Sequence, residues 1–151
     1  MTTDAPAGAQ EIRILALDVG EKRIGLAVSD PLGITAQGLG VLLRKDWESD
    51  LARLTELARE YRVREIVVGL PRHMDGRPGK ATGEILELAR ALATALGVQV
   101  VTWDERLTTV EAERVLLQAD VSRRRRRQVV DQLAAVLILQ GYLEQRQQPR
   151  P

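Results

Sequence analysis

The chain contains no cysteine and no phenylalanine, a single histidine, and only two tryptophans and two tyrosines. Without cysteine there is no disulfide framework, no thiol nucleophile and no thiolate zinc site. One histidine, His73, cannot build a histidine-rich metal centre. Any metal must therefore be held mainly by oxygen ligands, which points to Mg²⁺ or Mn²⁺. The scarcity of rings argues against a single-strand binder built on base stacking. No apolar run approaches the roughly 20 residues of a membrane span. Residues 1–10 are small and polar, lack an apolar signal core, and read as a loose tail, so a cytoplasmic protein is expected. The net charge is only +1, so an argument for nucleic acid rests on local clustering of cations.

What is present suits one domain: 151 residues, 44% of them hydrophobic, with Leu, Val, Ile and Ala supplying the core. Residues 11–144 are expected to form it, with 145–151 a second polar tail. Ile12 to Leu17 read as a buried strand ending in Asp18, and Gly20 turns the chain into a second strand from Ile24 to Ser29. Asp30-Pro31-Leu32-Gly33 is a turn. Ile34 to Leu43 form a third strand that Gly38 and Gly40 weaken or bulge, which makes an antiparallel meander. The period then changes. Trp47, Leu51, Leu54, Ala58 and Tyr61 mark a helix with Asp46 as its N-cap. Glu65 to Leu70 is a short strand stopped by Pro71, and Arg72 to Lys80 is a loop. A second helix runs from about Ile85 to Gly97, followed by a strand from Val98 to Trp103. Thr108-Thr109-Val110-Glu111 is a capping box opening a helix through Leu117. A basic hinge, Ser122 to Arg127, precedes a last helix ending near Leu143. These elements predict an α/β fold: a mixed five-stranded sheet, meander first and parallel strands after, flanked by helices.

Three acidic residues sit where apolar ones would be easier to place. Asp18 closes strand one, Glu105 follows the strand ending at Trp103, and Asp131 shares a helical stripe with Ala134, Ala135 and Ile138. Strand ends of an α/β sheet converge on one edge, and a helix crossing that edge could bring Asp131 to the others. Three converging carboxylates repel unless cations lie between them, as in two-metal phosphodiester hydrolysis. Simpler roles remain open: Asp18 and Asp104 as turn residues, Glu105 paired with Arg106 or Arg114, and Asp131 paired with a neighbouring arginine.

Four blocks occur in order: Asp18-Val19-Gly20-x-Lys22-Arg23-Ile24-Gly25-x-Ala27-Val28-Ser29-Asp30, Gly69-Leu70-Pro71-x-x-Met74-Asp75-Gly76, Asp104-Glu105-Arg106-Leu107-Thr108-Thr109, and Asp131-x-x-Ala134-Ala135. With them the chain closely resembles, from about Ile12 to Leu143, the YqgF or RuvX family of pre-16S rRNA nucleases, relatives of Holliday junction resolvases. The resemblance implies a ribonuclease H-like fold and a divalent-metal endonuclease using Mg²⁺ or Mn²⁺. It implies Asp18, Glu105 and Asp131 as the catalytic, metal-binding triad. Glu21 is a departure, because many relatives carry Thr there; it adds a carboxylate near the site or simply faces solvent. Arg72 and His73 occupy variable loop positions, and His73 reads as an ordinary loop residue rather than a proton shuttle.

The expected partner is nucleic acid, either structured RNA such as pre-rRNA, with ribosomal precursor particles as its setting, or branched DNA. Lys22, Arg23 and Arg106 are candidates to hold flanking phosphates. Thr108 and Thr109 could offer hydroxyls or helix N-terminal amides. Arg123, Arg124, Arg125, Arg126 and Arg127 form the strongest local charge. Cations at a helix start oppose its dipole, a cost that an anionic backbone would offset. The leading expectation is 5′-end processing of pre-16S rRNA, with resolution of four-way DNA junctions next; a junction resolvase would act as a symmetric dimer. Two other classes remain: a non-catalytic nucleic-acid or transcription-factor-binding module, and a sugar-kinase-like ATPase, which needs a second lobe.

Overall fold

The computed structural model describes residues 12–71, 80–105 and 123–147. Five strands form one sheet, β1 (Ile14–Val19), β2 (Arg23–Ser29), β3 (Ala36–Leu43), β4 (Glu65–Leu70) and β5 (Gln99–Asp104), in the order β3-β2-β1-β4-β5. The first three pair antiparallel, and β4 and β5 join parallel to β1 and to each other. Helices α1 (Trp47–Glu60) and α2 (Lys80–Leu96) cover one face. The long helix α3 (Arg123–Gln147) crosses the other. The predicted mixed sheet is the one observed.

Alternation along each strand divides the core in two. Leu15, Leu17, Ile24, Leu26, Ile66 and Val68 meet Leu54, Ala58, Ile85, Leu88 and Leu92 on the first face. On the second, Ile14, Ala16, Ala27, Val67 and Trp103 meet Ala134, Ala135, Ile138, Leu139 and Tyr142. Burial on both faces explains why β1 and β4 read as continuous apolar runs rather than alternating ones. Each fully buried Leu or Ile here contributes about 1.5–3 kcal/mol relative to exposure.

Local signals act as their chemistry requires. Asp46 caps α1, accepting a 2.8 Å hydrogen bond from the Ser49 amide. At the other end Arg62 takes φ +54°, and the Val63 amide returns to the Ala58 carbonyl at 2.8 Å, a Schellman closure made without glycine. Gly97, φ +66°, ends α2 as expected. In β3, Leu26 faces Gly40 and Ala27 faces Gly38, so Leu39 is the extra residue of a bulge.

Several boundaries differ from expectation. β1 continues one residue past Asp18, and β5 includes Asp104, which pairs with Leu70 and is therefore a strand residue rather than a turn. The last helix already includes Arg123 to Arg127, so these arginines belong to its opening turns and not to a hinge. Arginine is a good helix former, and a run of five does not break the backbone pattern. The same helix continues through Gln147, because Glu144, Gln145 and Arg146 favour helix and Arg146 is tied to Glu65 by a 2.5 Å ion pair. The loop through 72–79 and the helix expected over Thr108 to Leu117 lie outside the described residues, as do residues 1–11 and 148–151.

Candidate nuclease site

The acidic edge is built where β1, β4 and β5 end together. Side chains of β1 alternate, so Asp18 falls on the same face as Ile14 and Ala16, the face covered by α3. It is only 7% exposed. Its cross-strand neighbour in β2 is Gly25, which puts no side chain against it. In the other direction Leu17 pairs with Val68, so the next two positions, Asp18 and Gly69, lie side by side. Gly69 in turn pairs with Trp103 of β5, and Glu105 stands two residues beyond, on the same face.

Glu105 then reaches back over β4. A Cβ on Gly69 would lie 3.1 Å from Glu105 Oε1, 3.4 Å from its Cγ and 2.5 Å from Cδ1 of Ile138. The Glu105 carboxylate thus occupies the space above a glycine, on the strand that separates it from Asp18. Asp18, Asp104 and Glu105 each take part in interactions within the chain. Asp131 belongs to the backbone of α3, three, four and seven positions before the buried Ala134, Ala135 and Ile138; its side chain lies outside the described residues. Next to it, Gln132 spreads over β3, where a Cβ on Gly38 would stand 2.2 Å from its amide nitrogen. Glycines in two strands thus receive side chains from the same helix.

The flanking cations are placed unevenly. Lys22 is exposed in the turn between β1 and β2. Arg23 is half-buried as the first residue of β2, on the same face as Gly25 and at the same edge as Asp18. Glu21 is exposed, so the departure from the family pattern faces solvent. Arg106, Thr108, Thr109 and His73 lie outside the described residues, and of Arg123 to Arg127 only the helical backbone is described.

Sequence reasoning missed three supports. Gly25 and Gly69 flank Asp18 on either side; both were legible only as members of motifs. Arg44 is the third: its guanidinium donates to the Gly20 carbonyl at 2.8 Å and lies 3.6 Å from the buried Asp50, clamping the turn that follows Asp18. Nothing in its local sequence marks it, since its partners are 24 and six residues away. The groove lined by Trp47, Leu51, Ala52, Thr55 and Ala95 lies beside α1, on the opposite side of the sheet from this edge.

Among the described residues no group of three acidic, histidine or cysteine side chains forms a metal cluster, and no helix is long and apolar enough to cross a membrane. The donors present are nonetheless all oxygen, which suits a hard cation. The missing side chain at Gly69, the position beside Asp18, leaves that space to the Glu105 carboxylate.

The RuvX family profile, described as Holliday junction resolvase, matches residues 12–145. The chain belongs to the RuvX family. A relative from Moorella thermoacetica, named "Putative pre-16S rRNA nuclease", is 58% identical over 133 residues, 88% of this chain and 95% of that one. A second with the same name, from Symbiobacterium thermophilum, is 56% identical over 135 residues, 89% and 94% of the two chains. Among solved structures, Thermus thermophilus RuvC in complex with a Holliday junction substrate aligns with a TM-score of 0.58 at 16% identity, over 89% of this chain and 95% of that one. The fowlpox virus Holliday junction resolvase aligns with a TM-score of 0.55 at 15% identity, over 89% and 99%. At such identities these likenesses bear on fold, and the fold is the RuvC-like, ribonuclease H-like one that the sequence predicted.

Proposed function

We propose that this protein is a divalent-metal-dependent endonuclease that processes the 5′ end of pre-16S rRNA during ribosome assembly in the cytoplasm. The observation that carries the reading is the meeting of Asp18 and Glu105 on one face of one sheet edge, across a glycine, in a chain more than half identical to relatives named for this activity. Asp18, Glu105 and Asp131 would hold Mg²⁺ or Mn²⁺. The chemistry such a cation supplies when bound is activation of a water and neutralisation of charge on the leaving oxygen.

The chain's own contribution is placement. Asp18 sits on a strand buried on both faces, so its backbone is held by the ladder to β2 and β4. Glu105 is placed over Gly69 by its position just past the β5 terminus. Lys22 and Arg23, at the same edge, would bind phosphates flanking the scissile bond, and Arg106, Thr108 and Thr109, which follow Glu105 in sequence, would bind further phosphates. Arg123 to Arg127 would bind the backbone farther along, in a salt-dependent way.

The test is cleavage of a labelled pre-rRNA leader and a four-way DNA junction side by side, in Mg²⁺ and in Mn²⁺, with Asp18→Asn as control. Cutting of the leader, lost in Asp18→Asn, is the expected result. Cutting of the junction instead would select the second reading, resolution of four-way DNA, which the family description and the RuvC-like fold favour. Binding without cutting of either would replace both with a non-catalytic binding module.

A further inference from the structure

We infer that Gly69 is a positioning residue of the acidic site: the space left by its missing side chain is what allows Glu105 to lie over β4 toward Asp18. The inference rests on the nuclease reading for its functional meaning, but its structural content can be tested separately. Gly69 is the fifth residue of a six-residue strand, a place where glycine weakens the sheet and a β-branched residue would favour it. Its backbone is ordinary, with no left-handed φ to demand glycine. The turn explanation that serves Gly33 and Gly97 therefore does not apply.

What does apply is close approach. Position 69 faces α3, as do Val67 and Glu65 on the same strand. Val67 has room for a branched side chain there, so the helix as a whole does not crowd β4. At Gly69 two groups meet the space at once, Ile138 Cδ1 at 2.5 Å and the Glu105 side chain at 3.1 and 3.4 Å from a would-be Cβ. The Ile138 approach is the closer, and alone it would make Gly69 a packing residue. The Glu105 approach gives the glycine a second meaning. Its oxygen lies over the strand next to that of Asp18, and any side chain at 69 would compete for the space it occupies. A methyl group would push the carboxylate back toward β5, away from Asp18.

The two roles separate because Ile138→Val removes Cδ1 and leaves Glu105 untouched. Four proteins are compared: wild type, Ile138→Val, Gly69→Ala and Gly69→Ala/Ile138→Val. Gly83→Ala, in open space on α2, serves as the control for adding a methyl group to a glycine. Thermal unfolding, binding of Mn²⁺ alone, and the metal dependence of cleavage are measured. Gly69→Ala is expected to lower Tm, and the double variant to recover most of that loss. The double variant should still bind Mn²⁺ about 10- to 100-fold more weakly than Ile138→Val, the usual cost of disturbing a group that orients a ligand. Its cleavage should need correspondingly more metal. Recovery of both Tm and Mn²⁺ affinity would overturn the inference and leave Gly69 as a seat for Ile138. If the wild type binds no Mn²⁺, the metal reading falls. The positioning claim is then decided by crystal structures of Ile138→Val and the double variant, in which the Glu105 side chain should shift from β4 toward β5 only in the latter; coincident positions would overturn it.

Discussion

Strand β4 carries two sites under the same helix, and they treat acid in opposite ways. At its start Glu65 is buried, yet α3 supplies the answer within the chain: Arg146 binds the carboxylate, and its guanidinium lies 5.8 Å over the Tyr142 ring. Tyr142 meets Trp103 edge-on at 6.0 Å, and burial pushes its phenol above the usual range, with Arg146 opposing and Glu65 adding to the rise. This lower end is a closed structural lock in which charge is matched locally. Four residues on, at Gly69, the same strand offers no side chain at all; Glu105, just past β5, reaches over it, and Asp18 of β1 is the neighbouring position. At the start of the strand a side-chain ion pair tied to α3 stabilises the fold, whereas at Gly69 the missing side chain sets how closely Glu105 approaches the sheet. The contrast is between an acid held by a side chain of the covering helix and an acid admitted by a glycine.

The largest effect that would test this contrast is at the upper end. Asp18→Asn is expected to reduce cleavage by more than about 100-fold, the upper cost of losing a group that merely orients a metal ligand. A gel assay under single-turnover conditions measures it, and near-normal cleavage would remove Asp18 from the machinery. Next, replacing three of Arg123 to Arg127 with Gln should flatten the salt dependence of RNA binding. The logarithmic slope should fall by about 0.7 for each phosphate of a single strand that the arginines no longer neutralise. An unchanged slope would return the run to a solvated helix start.

The lower end should respond in stability alone. Arg146→Met leaves Glu65 buried without its partner and is expected to cost about 1–3 kcal/mol in urea unfolding, toward the low end because Arg146 is 37% exposed. Glu65→Gln in the same chain should recover part of that, and cleavage per folded molecule should not change. A cleavage defect in Arg146→Met would mean that the two ends are coupled through α3. The smallest effect is at the turn before β3. Asp30 is held below its ordinary range by the amide of Thr35, with that of Ile34 adding to it and slight burial opposing. A lowered folded pKa means that this stabilisation is full above the ordinary carboxyl range, near pH 4, and disappears as pH falls through the lowered value. Asp30→Asn should therefore flatten the acid limb of Tm against pH and leave the neutral plateau's shape unchanged.

How much of this was legible differs element by element. β4 is legible to its observed ends because an apolar run between Arg64 and Pro71 has only one length available. The bulge at Leu39 and the cap at Asp46 are legible too, since glycine pairs and Asp-x-x-Ser act within a few residues. The end of α3 is not, because Arg146 is held by a strand residue 81 positions earlier. The same distance problem hides Arg44 and Gly69.

By itself the sequence determined the continuous apolar runs that bury β1 and β4 on both faces, the turns and caps, the absence of cysteine, and the acids Asp18, Glu105 and Asp131 at positions where apolar residues would be easier to place. These are properties of residue type and short spacing, and the backbone expresses them locally. Only the tertiary structure decided that β1, β4 and β5 end together, that α3 answers Glu65 with Arg146 at one end, and that Glu105 lies over Gly69 at the other. Each of those depends on which residues distant in the chain meet across the sheet. That meeting is set by strand order and helix crossing, which no local pattern encodes.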